Sequence, residues 1–216
     1  MAIAAVTAGC GSSVTMDPPT IPTPLVEPMA VSVGVRFPDN FRDFSHEEEA
    51  LGSEAWSINL GRSNEVLFTE LFGYMFEEVR IVGPDEDPAE LNLDAFIEPS
   101  IDAFEFSVPN QTKTDSFAVW IRYRIKVFDS SGDQTANWPL AAYGKSQSKM
   151  LGGAEALQEA AVLAMRDAAA LMIDKLDRET GVGSARIKRR AAIEAAAPAA
   201  PETQTTAHEE NANDAG

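Results

Sequence analysis

The chain has one cysteine, Cys10, and two histidines, His46 and His208, among 216 residues. A single thiol excludes an internal disulfide framework and any zinc site built from several cysteines. The two histidines are far apart, and His208 lies in a polar C-terminal stretch, so no metal is expected. No apolar run approaches the ~18 residues that a membrane-spanning helix needs. Positive charge is scarce: 17 Lys and Arg stand against 34 Asp and Glu, a net charge of −17. Nucleic-acid backbones are held by concentrated Lys and Arg, so nucleic acid is not an expected partner. Catalytic signatures are missing too, with no Walker loop, GxGxxG, HExxH or GxSxG anywhere in the chain; each of those patterns carries a known site chemistry. The expectation is a non-enzyme without a cofactor.

What is present suffices for one folded domain with flanking segments. Hydrophobic residues make up 44% of the chain, an ordinary globular share. Charge is distributed unevenly. Residues 38–110 hold 18 acids against 3 bases, whereas residues 113–149 hold 6 bases against 3 acids.

The N-terminus reads Ala4-Ala5-Val6-Thr7-Ala8-Gly9-Cys10-Gly11-Ser12-Ser13, a short apolar run, two small residues, the cysteine and a polar stretch. This resembles the lipobox of bacterial lipoproteins, with Thr7 where that family usually has Leu. The resemblance implies cleavage after Gly9 and lipidation, including palmitate, at Cys10. Gly11 after the cysteine, in place of Asp, implies sorting to the periplasmic face of the outer membrane. Signal peptides have a longer apolar stretch and a positive leader, so the expected start lies upstream of Met1, or the segment has been trimmed. Pro18, Pro19, Pro22, Pro24 and Pro28 follow. Proline fixes φ and donates no backbone N–H, so residues 11–30 read as a polyproline tether reaching roughly 60 Å.

The middle of the chain alternates between two periodicities. Val31 to Phe37 alternates apolar and small or polar residues as a half-buried strand does. Phe68, Leu71, Phe72, Met75 and Val79 fall on one face of a helix over 64–79, and this aromatic stripe reads as core. Residues 94–108 read as a strand. Phe117, Val119, Ile121, Tyr123, Ile125 and Val127 then alternate with Trp120, Arg122, Arg124 and Lys126 in the clearest strand of the chain. Asp129 to Asp133 is a hairpin turn leading to a return strand over 135–148. Leu157, Ala161, Ala164, Ala168 and Leu171 mark one face of a helix over 154–176. Pro99 and Pro139 interrupt strands and mark edges or bulges. The expected fold is α+β: a two-layer sandwich of an antiparallel or mixed sheet with two helices packed on one face. The expected domains are residues 1–10, a signal-peptide remnant with its lipidated cysteine; 11–30, the tether; 31–180, the folded domain; and 181–216, a disordered tail poor in large apolar residues.

Two stretches, Phe96-Ile97-Glu98-Pro99-Ser100-Ile101-Asp102-Ala103-Phe104 and Val119 to Lys126 with its turn and Trp138 to Lys145, carry a second resemblance. With Cys10, they look like small proteobacterial outer-membrane lipoproteins of the YajG, LptE-like and CsgG-like type. That resemblance implies an accessory or scaffold role in an outer-membrane assembly, with the membrane held through lipid and an envelope protein or a second copy as partner. The residue pattern marks Trp120, Arg122, Arg124 and Lys126 as a partner-binding stripe. Acids on the neighbouring strand, Glu98, Asp102 and Glu105, are placed either to neutralise it by cross-strand pairing or to leave it free for phosphates of a lipid or glycolipid. The same acids are the only candidates for an enzyme acting on envelope carbohydrate. His46 beside Glu47-Glu48-Glu49 reads as a solvated loop, and Arg186-Ile187-Lys188-Arg189-Arg190 as a solvated helix end or an anion-binding cluster.

Overall fold

The computed structural model describes residues 11–16, 18–50, 54–109, 114–147 and 152–196. Cys10 and residues 197–216 lie outside them. Among the described residues, eight strands form two sheets: β1 Gly11–Thr15, β2 Met29–Val35, β3 Ser45–Ala50, β4 Glu54–Asn59, β5 Phe76–Ile81, β6 Ala95–Ser107, β7 Ser116–Asp129 and β8 Gln134–Gln147. The described residues also form the α-helices α1 Asp39–Arg42, α2 Gly61–Met75, α3 Gly153–Thr180 and α4 Ala185–Ala196. The main sheet has the order β5-β2-β6-β7-β8 and the smaller one β1-β4-β3. β2 runs parallel to β5 and β6, while β6, β7 and β8 form an antiparallel meander. The fold is α+β with a mixed sheet, as expected.

β7 organises the core. Its residues Phe117, Val119, Ile121, Tyr123, Ile125 and Val127 are buried on one face, against α2 and α3. Phe68 of α2 packs its ring 5.3 Å from that of Tyr123. The Tyr123 hydroxyl, buried with it, donates to Asn64 Oδ1 at 2.7 Å. Burial pushes the Tyr123 hydroxyl far above its usual range, so it stays a proton donor. The alanines of α3 do the work their size allows: Ala156, Ala160, Ala161, Ala164 and Ala168 are buried where the helix crosses β8. The crossing is close enough that a Cβ on Gly144 of β8 would stand 2.0 Å from the Ala160 carbonyl oxygen. Glycine in a strand interior marks such close backbone approach.

Several elements depart from the sequence reading. His46 and Glu47-Glu48-Glu49 lie not in a loop but in β3, which pairs with β4, and the His46 ring lies 5.2 Å from Phe104, tying β3 to the core. α2 ends at Met75, and Val79 belongs to β5, not to the helical face. β6 is an inner strand, yet Pro99 lies beyond its last pair with β2, at Ile97, so its missing N–H breaks no ladder. The segment read as a tether begins as part of the domain: Gly11–Thr15 pairs in parallel with β4, and Val14, Met16 and Ile21 are buried. Apolar side chains at those positions outweigh the neighbouring prolines, which follow β1 instead of interrupting it. Of the segment read as a disordered tail, residues 185–196 form α4; its alanine- and arginine-rich composition has high intrinsic helix propensity.

Gly144→Ala is expected to destabilise the protein by about 1–3 kcal/mol, the usual cost of forcing extra volume into a packed interface. Chemical denaturation measures it; a change smaller than ~0.5 kcal/mol would show that α3 can move off β8 without loss.

Candidate functional site

The outward face of β6, β7 and β8 carries the stripe singled out in the sequence. Because side chains alternate, burying Tyr123 and its neighbours turns Trp120, Arg122, Arg124 and Lys126 to the opposite side. The hairpin register sets Tyr143 opposite Trp120 and Ala141 opposite Arg122. On the β6 side, Glu105 pairs with Trp120, Ala103 with Arg122 and Glu98 with Lys126, after a bulge at Asp102. The bulge returns Phe104 and Phe106 to the core side and keeps Glu105 outward.

Charge on this face is mostly cancelled within the sheet. Arg124 Nε donates to Asp102 Oδ1 at 3.0 Å and its Nη1 to Asn137 Oδ1 at 2.9 Å. Lys126 Nζ lies 3.5 Å from Glu98 Oε1. Exposed pairs of this kind contribute little to stability. Their consequence is occupancy: Arg124 and Lys126 already hold carboxylates, and Glu98 and Asp102 already hold cations. That removes two of the three cations proposed for phosphate and two of the three acids proposed for a glycosidase. Both acids also stay partly open to solvent. Arg122 and Glu105 form no ion pair among the described residues.

At the same end of the face the aromatic rings are open. Trp120 and Tyr143 are each 44% exposed, with ring centroids 5.2 Å apart and planes tilted by 44°. Beside them is a shallow pocket of about 290 Å³, floored by Ala103, Ala141, Ala142 and Ile121 and flanked by Glu105, Trp120 and Arg122. Sequence reasoning named Trp120 and Arg122 but missed Tyr143 and the alanine floor. The outer edge of β8 is partly covered: Asp167 of α3 accepts the backbone N–H of Tyr143 at 3.0 Å. This leaves the face, more than that edge, open to a partner.

Two of the four cations in the basic cluster 186–190 are held by a buried carboxylate. Asp94, just before β6, accepts from the Ser32 amide at 3.0 Å and the Ser32 hydroxyl at 2.9 Å. It also accepts from Arg186 Nε at 3.1 Å and Arg189 Nη1 at 3.2 Å. Arg186 reaches Glu77 as well, and Arg189 the Asn92 carbonyl. No residue of α4 is buried; Ala185 at its start packs against the core, and these two arginines fasten the turns that follow. His46 and Glu48 make an isolated pair at 3.2 Å on β3. Among the described residues no three His, Cys, Asp or Glu side chains converge as metal ligands would, and no helix is long and apolar enough to cross a membrane.

No protein-family model matches the chain, and no curated protein matches it. Solved structures do show similarity. A minor lipoprotein of Acinetobacter baumannii is 12% identical, with 70% of this chain and 94% of that one covered and a TM-score of 0.40. Lipoprotein B of Nitrosomonas europaea, described as uncharacterized, is 12% identical over 77% of this chain and 97% of its own, with a TM-score of 0.39. A hypothetical protein of Chlamydia trachomatis is 10% identical over 70% and 98%, with a TM-score of 0.43. The chain is thus similar to bacterial lipoproteins in general, and the likeness does not separate the YajG, LptE-like and CsgG-like types. At these scores it carries no argument about function, which rests on the chain's own residues.

The Asp94 clasp ties α4 to pH. Burial by itself raises the Asp94 pKa, but the hydrogen bonds from Ser32, Arg186 and Arg189 outweigh it and hold the carboxyl below 3.8. A carboxylate with a lowered native pKa adds stability that is present above its unfolded value and lost as pH falls through the native one. Hydrogen exchange of residues 185–196 is therefore expected to stay slow at neutral pH and to accelerate in acid, below the ordinary carboxylate range, before the core strands open. In Arg189→Ala the same segment should exchange faster already at neutral pH, with Ser32 undisturbed. Equal protection in wild type and variant would show that the clasp does not hold α4.

Proposed function

We propose that this chain is a lipid-anchored accessory or scaffold protein of the bacterial envelope, held at the outer membrane through Cys10 and engaging an envelope component through the outward face of β6–β8. The observation that carries the docking face is the contrast along it. One end is charge-balanced by Asp102–Arg124 and Glu98–Lys126, whereas the other exposes Trp120 and Tyr143 beside an unpaired Arg122. Exposed aromatic residues next to Arg have the composition of an interface anchor. The anchor reading rests on Ala8-Gly9-Cys10. More than one acyl chain on Cys10 would make attachment stable, since a single chain binds membranes only reversibly.

The alternative, a lipid or glycolipid bound through its phosphates, is left with Arg122 of the three cations on the stripe, since Arg124 and Lys126 already hold carboxylates. Expression in a native host of wild type and Trp120→Ala/Arg122→Ala tests both halves of the proposal. Mass spectrometry is expected to find Cys10 acylated in each. Native gels of mild envelope extracts should show wild type in a larger species and the double variant shifted to the monomer. An unmodified cysteine in a soluble protein would contradict the anchor, and unchanged migration of the folded variant would contradict the docking face.

A further inference from the structure

The exposed end of the face combines features that a charged ligand or a strand-forming peptide would not use. The backbone groups of β7 are taken by ladders to β6 and β8, so the face offers side chains only. An anion in the pocket would meet one cation, Arg122, with the Glu105 carboxylate on the same wall; Lys145 faces out on β8 beyond Tyr143 and does not line the pocket. What remains is two tilted aromatic rings, one strong acceptor, one strong donor and a floor of alanines. This set matches a ligand that is neutral, has an apolar face and a polar rim, and carries one amide with a small methyl group.

We propose that the Trp120–Tyr143 platform binds a sugar ring bearing an N-acetyl group, a building unit of envelope glycans. The C–H face of the pyranose stacks on Trp120, whose ring faces solvent. The acetamido N–H donates to Glu105, its carbonyl accepts from Arg122, and its methyl rests on Ala103 and Ala141. Both hydrogen bonds involve an ionised protein group and are correspondingly strong. A pocket of about 290 Å³ takes one such unit. The proposal rests on the envelope reading above and names the partner class of its docking face.

The structure supplies its own reporter. Trp56 and Trp138 are 4% and 9% exposed, so a ligand-dependent change in tryptophan emission reports Trp120. The full chain is titrated with chitotriose, a trimer of N-acetylglucosamine, and with cellotriose, which lacks the acetamido groups. A saturable change with chitotriose is expected, and affinity at least about tenfold weaker for cellotriose. Ala103→Leu keeps the reporter and the aromatic rings but fills the floor; it should weaken chitotriose binding by roughly tenfold or more. Arg122→Ala, read by calorimetry, should do the same. No saturable response to chitotriose, equal affinity for the two sugars, or an unchanged affinity in Ala103→Leu would overturn the proposal. If chitotriose fails while Trp120→Ala/Arg122→Ala still shifts to the monomer in envelope extracts, the sugar is overturned and the docking face stands.

Discussion

The hydrogen bond from Tyr123 to Asn64 Oδ1, beneath the Phe68 ring, fixes which way β7 faces. Because side chains alternate with a period of two, every odd-numbered residue from Phe117 to Val127 must follow Tyr123 inward and every even-numbered one must turn out. A slip of one residue would carry Trp120, Arg122, Arg124 and Lys126 into the core and leave a tyrosine hydroxyl without its acceptor. Burying unpaired charges costs far more than an unmade surface contact returns. The outward face is thus a consequence of core packing, and its aromatic end stays exposed because α2 and α3 both occupy the other side of the sheet.

The two ends of the described chain are folded back onto this body. β1 joins the smaller sheet through β4, and α4 is fastened across the start of β2 and β6 by two arginines on Asp94. Cys10 directly precedes β1 in sequence. An acyl chain there would hold the domain close to the membrane instead of at the end of a 20-residue polyproline spacer. Pro18 to Pro28 become the connection from β1 to β2. A domain held close has a restricted orientation, which favours one fixed docking face over a freely swinging one.

The elements legible in the sequence were those whose periodicity is imposed by a continuous core. β7, its turn, β8 and α3 were all visible because Tyr123, Ile125, Leu157 and Ala161 repeat at strand or helix spacing. Counting outward from the turn places Ala142 opposite Trp120; the register shift between Val127 and Phe128, which no local pattern announces, brings Tyr143 there instead. β3 was hidden by Glu47-Glu48-Glu49, which reads as solvated acid; it is a strand because β4 pairs with it and Phe104 and Phe106 shelter His46. Val79 fits a helical step from Met75 equally well, and only pairing with β2 settles it as strand. α4 depends on Asp94, some ninety residues earlier in the chain, a contact that no local pattern announces. The ion pairs Asp102–Arg124 and Glu98–Lys126 were among the arrangements that cross-strand geometry allowed, but the bulge that aligns Asp102 was not foreseeable.

The proposed docking face requires the Trp120 end of the sheet to be covered when the protein is in place. Oxidative footprinting of the purified chain and of the same chain in intact envelopes tests it directly. In the purified protein Trp120 and Tyr143 should be the strongly modified aromatic sites of the sheet, with Trp56 and Trp138 protected in the core. In envelopes Trp120 and Tyr143 should become protected, while exposed Ile187 and Ile193 of α4 keep their reactivity. Trp120 equally reactive in both states would contradict the account.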